Sequence, residues 1–399
     1  MKRYRATLIA MLLATTSFAQ GVTDVHSHII TSDFVSALKK EGKLSDEGFP
    51  LPRYDVESHL KWMDEAGVTT SVLTLAAPQP ASADVVREAN EAAARIKKEH
   101  PGRFMFCAAL PLPDVDAAIR EAKYALDTLK ADGIKLATNV QGQYLGAPEL
   151  DTLFAFLNER KAVVILHPHR PEPVNREVMT QTPLAMQEYL SETTRAVTNM
   201  ISRNVLARYS EVKVVVPHCG AYLPLAMPRM RSLAPVMQAN KLVGDIDWEA
   251  NLRTLYYDLA GAHSPETIRQ MLTITTPDHL LYGADFPYAA PHVLTQSLER
   301  MKQYLEEYLA IAREVDRLSI EREPGVVCLY PMQSSEDPCQ IRILEIYASE
   351  EVYQQHLQTE HFQKYKTGTL HMVKSLKLPL MKPLDSETMK QIFIKQNMP

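Results

Sequence analysis

Up to about residue 290, short runs of β-branched and apolar residues alternate with longer stretches in which apolar positions recur every three to four residues. Runs at 22–28, 69–76, 103–110, 132–138, 161–167, 211–218, 253–259 and 278–285 predict eight strands. The stretches between them, such as 84–99, 115–130 and 149–160, predict helices, with Asp114 placed to cap one and Pro148 suited to the first turn of another. Strands separated by helices pair in parallel through right-handed crossovers. Eight such units over this length predict an α/β chain folded as a (β/α)8 TIM barrel, whose site lies at the C-terminal ends of the strands. An open doubly wound sheet is the competing fold; it wants a Gly-rich turn after the first strand, where this sequence has Asp24-Val25-His26-Ser27-His28.

The pattern changes after Tyr304. An amphipathic helix at 306–321, strands at 326–331 and 339–347 around a turn at 334–338, a helix at 349–364 and a closing strand at 373–378 predict a small α+β module. Residues 291–305 also read as helix, so a barrel helix runs on into the module as one shared helix or as a junction that compromises one partner. The division expected is a leader at 1–19, a barrel at 20–304, a module at 305–381 and a tail at 382–399.

The leader rests on Lys2, Arg3 and Arg5, an uncharged stretch at 6–18, and small residues at Ser17 and Ala19. That is the pattern of a cleaved secretory signal, with Gln20 first in the mature chain and a secreted or periplasmic location. With 43 Lys and Arg against 48 Asp and Glu, the net charge of -5 gives no attraction to nucleic acid or to an anionic membrane. Cys107 and Cys219 fall in apolar stretches, and Cys328 and Cys339 would be offset across a hairpin, so no disulfide is expected.

Candidate chemistry collects at the predicted strand ends. His26 and His28 share one face of the first strand and can share one metal ion. The fifth run ends in His167, the sixth in His218 and the eighth in Asp285. A polar residue at one strand end is commonplace. Five on strands that meet only when the barrel closes point to a metal site.

The segments His26-Ser27-His28, His167-Pro168, His218-Cys219-Gly220 and Gly283-Ala284-Asp285-Phe286-Pro287 resemble the amidohydrolase superfamily. The likeness is to the branch containing aminocarboxymuconate-semialdehyde and γ-resorcylate decarboxylases. It is closer to 6-methylsalicylate decarboxylase-like proteins through Leu110-Pro111-Leu112-Pro113, Thr138-Asn139, Thr193-Thr194-Arg195-Ala196 and Leu255-Tyr256-Tyr257-Asp258. The resemblance implies one divalent ion, zinc or alternatively manganese, on His26, His28, His167 and Asp285, with His218 as catalytic acid/base and Asp285 as proton donor. Two-metal relatives use a carbamylated lysine on the fourth strand; Lys135 lies inside that run, where a structural lysine is expected. Arg53, Arg170 and Arg229 are candidate partners for a substrate carboxylate or phenol, each with a surface salt bridge as its plainer role, and His169 is expected to line the pocket. The substrate implied is a small aromatic acid decarboxylated on the metal; a metal hydrolase opening a lactone or amide is the alternative.

The module is similar to the antibiotic-biosynthesis monooxygenases through Glu323-Pro324-Gly325-Val326, Ile343-Leu344-Glu345-Ile346-Tyr347, His356, His361-Phe362 and Lys364-Tyr365-Lys366-Thr367-Gly368-Thr369. That likeness implies a ferredoxin-like α+β fold, here without the opening strand the family has, and a homodimer formed by joining sheets into a dimeric α/β barrel. It also implies a pocket lined by His356 and His361 for a quinol-like aromatic, used without metal or flavin, and hence a third functional reading as a cofactor-free monooxygenase.

Overall fold

The computed structural model describes residues 21–42, 45–46, 49–78, 82–175, 177, 182–261, 263–276, 279–333 and 341–369. The expected leader, the turn at 334–338 with Cys339, the closing strand at 373–378 and the tail lie outside these residues.

Eight parallel strands form one sheet in sequence order: β1 (Val22–Ile29), β2 (Val68–Leu75), β3 (Phe104–Ala109), β4 (Gly133–Ala137), β5 (Val163–His167), β6 (Lys213–Val216), β7 (Leu255–Asp258) and β8 (Leu280–Leu281). The last closes on the first to make a TIM barrel. Val25 N donates to Tyr282 O (2.9 Å), Asp285 N to His26 O (2.7 Å) and His28 N to Phe286 O (2.7 Å). Gly283 belongs to this seam, since a Cβ there would lie 2.9 Å from His26 Cβ. Asp24, fully buried, fastens the same closure. Its Oδ1 accepts from His26 N (3.0 Å) and Ala284 N (2.9 Å), and its Oδ2 accepts from Ser71 Oγ (2.7 Å) and from Ser27 Oγ. Burial pushes its carboxyl up to about 6 despite these bonds.

Val25, Val72, Cys107, Ile165, Val215 and Leu281, from six strands, pack together as the barrel's inner layer, while residues of the opposite parity such as Leu73, Phe106, Ile134 and Val214 pack against the helices. Cys107 and Cys219 are buried free thiols, and Cys328 is also free. Helix starts follow local chemistry: Asp55, Asp114 and Ser264 each accept a backbone N–H two or three residues into their helices, and Gly67 ends the helix Val56–Ala66 in the left-handed region at φ 71°.

The structure departs from the sequence reading in several places. The helix expected over 115–130 widens after Tyr124 into a π turn, Ala125–Leu129. Ladder pairing in β6 stops at Val216 and in β8 at Leu281, so His218 (φ 54°) and Asp285 (φ 62°) sit beyond the strands on left-handed backbone. The single helix expected at 349–364 is two, Glu350–His356 and Glu360–Thr369, because Thr359 Oγ1 accepts the Phe362 N–H (3.3 Å) and starts a second helix. A 32-residue junction helix, Pro291–Arg322, runs through the point where the barrel was expected to end. Leu294, Leu298 and Met301 on its first half join the barrel core, and Val315, Leu318 and Ser319 on its second half are buried toward the module. There β9 (Val326–Gln333) pairs antiparallel with β10 (Ile341–Tyr347), leaving Tyr330 and Leu344 exposed.

Candidate metal centre

The closed barrel brings four of the expected residues to one point. His26 Nε2 lies 3.2 Å from His28 Nε2, and Asp285 Oδ1 lies 3.0 Å from His28 Nε2 and 3.5 Å from His26 Nε2. His167 completes the group, its ring centroid 4.8 Å from that of His28 and 5.5 Å from that of His26. One potential ligand atom from each of the four falls within 4.8 Å of the others. The three imidazoles are buried, while about a quarter of the Asp285 side chain (24%) is exposed, so the group opens on the aspartate side.

Each of the three converging imidazoles has an acceptor behind it. Asp258 Oδ2 takes the His26 Nδ1–H at 2.8 Å. Thr74 Oγ1 spends its own proton on Ser27 O (3.2 Å) and so accepts from His28 Nδ1 (3.1 Å). Pro168 O accepts from His167 Nδ1 at 2.9 Å. These acceptors hold a proton on Nδ1 of all three rings and leave Nε2 facing inward as the atom available to an ion. Three neutral imidazoles and one carboxylate at these separations fit a single divalent cation with room for a further ligand.

The charges agree. Burial drives His28 down to about 4, and the neighbouring His26 and Lys135 add to it against the pull of Asp285. His167 is held well below the usual histidine value by burial and the adjacent imidazoles. Burial also opposes a charged His26, but the Asp258 carboxylate outweighs it and raises the ring to about 9. Burial would raise Asp285; the imidazoles of His218, His28 and His26 facing it outweigh burial and hold the carboxyl well below its usual range.

His218 stands beside the group, its Nε2 3.7 Å from Asp285 Oδ2 and its ring centroid 5.1 Å from that of His26. Its Nδ1 has no hydrogen-bond partner among the described residues. Its backbone N–H donates to Asp258 Oδ1 (3.0 Å), so one aspartate orients both His26 and His218. Lys135 is buried in the middle of β4, with its neighbours Ile134 and Leu136 facing the helices. His169 is buried just past His167, its N–H bonded to Thr138 Oγ1 (3.0 Å).

Arg170 pairs with Glu172 at 2.9 Å and, with Gln141, Gly142 and Pro173, lines a recess of about 660 Å³ between the loops after β4 and β5. None of the four converging side chains lines that recess. Asn139 braces the loop by donating to Arg170 O (2.9 Å) and to the fully buried Glu192 (3.1 Å). Arg53 and Arg229 are exposed, and neither is hydrogen-bonded or ion-paired to the four. In the module, His356 and His361 come together on Glu323.

No role for Asp258, Thr74, Asp24 or Glu323 follows from the sequence alone. Asp258 carries a signal there, as the acidic residue one position before the end of the seventh run; the others become visible only once strands and helix ends are paired.

These features agree with comparisons to known proteins. Residues 23–314 match the amidohydrolase family model, and the chain belongs to that family. Residues 297–368 match the antibiotic biosynthesis monooxygenase model, and the two matches overlap within the junction helix. The decarboxylase YanB of Aspergillus niger is 34% identical over 314 residues, covering 73% of this chain and 85% of that protein. The 6-methylsalicylic acid decarboxylase of Penicillium expansum is 31% identical over 296 residues, covering 71% and 89%. The fold is shared with a dihydroxybenzoic acid decarboxylase of Polaromonas sp. JS666, solved with bound manganese and the inhibitor 2-nitroresorcinol (18% identity, TM-score 0.58, 69% of this chain and 89% of that one).

Proposed function

We propose that this chain is a divalent-metal-dependent carboxy-lyase of a hydroxybenzoate-like acid, with His26, His28, His167 and Asp285 as metal ligands. The reading rests on four donors converging, with Nδ1 of every imidazole held by an acceptor and Nε2 turned inward. It is supported by the decarboxylase relatives. A bound ion would supply positive charge for a phenolate and its neighbouring carboxylate; the donor set suits zinc, and manganese is the ion in the Polaromonas relative.

The chain's own part is proton handling. Asp285 turns Oδ1 toward the ligand imidazoles and Oδ2 toward His218. A proton delivered by His218 Nε2, 3.7 Å from Oδ2, passes through that oxygen to the ring carbon bearing the carboxylate. The bond from that carbon to the carboxylate then breaks, its electron pair returns to the ring, CO2 leaves, and solvent reprotonates the pair. Arg170 and His169 are proposed to meet the substrate at the mouth, with Arg53 and Arg229 as further candidates.

The test is metal content by mass spectrometry, beside a His26→Ala/His28→Ala variant, with CO2 release assayed on a panel of hydroxybenzoates. Metal lost in the variant together with CO2 release by the parent supports the reading. Opening of a lactone or amide with no CO2 from any acid would replace it with a hydrolase.

Export and dimerisation complete the proposal. A secreted product beginning at Gln20 supports the first, and a retained Met1 overturns it. Sedimentation as a monomer alone would remove a homodimer joined through the β9–β10 sheet.

A further inference from the structure

The module holds a second convergence of metal-ligating side chains, distant in sequence from the first. Glu323 caps the C-terminal end of the junction helix, His356 is the last residue of the helix Glu350–His356, and His361 is the second residue of the helix Glu360–Thr369. His356 Nδ1 lies 3.0 Å and 3.1 Å from the two Glu323 oxygens, and His361 Nε2 lies 2.6 Å from Oε1. Two imidazoles on different helices therefore aim at one carboxylate oxygen. Ligand atoms of all three lie within 4.8 Å of one another.

We infer that Glu323, His356 and His361 form a second metal-ion site, selective for a borderline divalent cation such as zinc. Two nitrogens and one carboxylate oxygen suit zinc, whereas calcium and magnesium want oxygen throughout. Ligands 2.0–2.2 Å from a tetrahedral ion stand roughly 3.4 Å apart. The spacings here, 2.6–3.1 Å, are roughly 0.3–0.8 Å shorter, as expected when protons hold the donors together until an ion displaces them. The barrel group is contracted less, at 3.0–3.5 Å. The His356 side chain is almost wholly enclosed at 2% exposed, while Glu323 (12%) and His361 (11%) keep contact with solvent. That leaves a path in for the ion and a fourth position for water or another ligand.

The surroundings are built to hold these side chains. Thr359 Oγ1 donates to His356 O (2.8 Å), lies 3.3 Å from His361 Nε2 and starts the helix that carries His361. Gly325, two residues after Glu323, lets the turn lie against the next helix: a Cβ there would come within 2.5 Å of both Val352 methyls. The Tyr347 ring packs 5.3 Å from His356, and its hydroxyl donates to Glu345 at 2.9 Å. A solvated ion pair on a surface would need none of this bracing.

The test uses the full chain, loaded with zinc chloride, desalted, and analysed for metal by mass spectrometry. The parent should carry about two zinc ions, the His356→Gln/His361→Gln variant about one, the His26→Ala/His28→Ala variant about one, and the combined variant about none. The two pairs of variants separate failure of this site from failure of the barrel centre. Glu323→Gln keeps size and hydrogen bonding but loses the charge, and should weaken zinc at the module site by roughly 10–100-fold in a competition titration while the barrel equivalent is kept. Equal zinc in the parent and the His356→Gln/His361→Gln variant overturns the inference. So does undiminished affinity in Glu323→Gln, which would mark the module metal as adventitious.

Discussion

The barrel centre and the module cluster use the same side chains in different settings. In the barrel, each of the three converging imidazoles is backed by an acceptor, and the donors come from strands of one closed sheet or, for Asp285, from just past a strand end. In the module the donors sit at three helix ends, and the bracing comes from one threonine and one tight turn. A strand end is fixed by pairing on both sides, whereas a helix end can fray or shift by a residue. The barrel arrangement suits chemistry that tolerates little misplacement; the module arrangement suits binding.

Substitutions can break or sharpen this contrast. The largest effect is expected from Asp285→Asn, which should retain metal through the three imidazoles yet lower turnover by roughly 10²–10⁴-fold. Retained metal with full turnover would remove Asp285 from proton transfer. Next is Asp258→Asn, which removes the charged acceptor behind His26 and should weaken metal binding by roughly 10–100-fold in a chelator competition. Thr74→Val should do the same at His28 more mildly, near the lower end of that range, with about 1–3 kcal/mol of stability lost from the unsatisfied Nδ1. If neither substitution moves metal affinity, the orienting contacts are not what separates the two sites.

The smallest effect concerns acid stability. His59 is fully buried behind the centre, stacked on Phe286 at 4.2 Å, with both ring nitrogens lacking hydrogen-bond partners among the described residues. Burial, helped by Arg103, lowers it from 6.5 to about 3. Above 6.5 neither folded nor unfolded chain is protonated there. Between 6.5 and 3 the unfolded chain takes up a proton that the folded one refuses, so stability falls by about 1.4 kcal/mol per pH unit. His59→Phe keeps the stack and removes this liability, so its acid-unfolding midpoint, followed by circular dichroism, should move to lower pH.

Much of the barrel centre is legible in the order of residues alone. His26 and His28 share a strand face by simple alternation, and His167 closes an apolar run that reads as a buried parallel strand. The supports are not legible in the same way, because each depends on a partner remote in sequence: Asp258 meets His26 across 232 positions and Thr74 meets His28 across 46. The left-handed backbone at His218 and Asp285 is equally hidden, since neither residue type demands it. In the module, the break before Thr359 escapes a pattern reading because its helix-starting bond competes with a continuous apolar pattern. Glu323 stands in a recognisable motif, but its role emerges only when three helix ends meet.

The junction helix makes the two halves of this chain share an axle. An α-helix advances 1.5 Å and turns about 100° per residue, so one residue inserted between Met301 and Val315 would rotate everything after it by more than a quarter turn. The face that fills the barrel with Leu294 and Leu298 and the face that fills the module with Val315 and Leu318 are thus kept in phase by residue count alone. Neither half can be cut away without stripping a wall from the other. Length changes in this helix are tolerable only in steps near whole turns, which makes its length as binding a constraint on the chain's descent as any ligand in the centre.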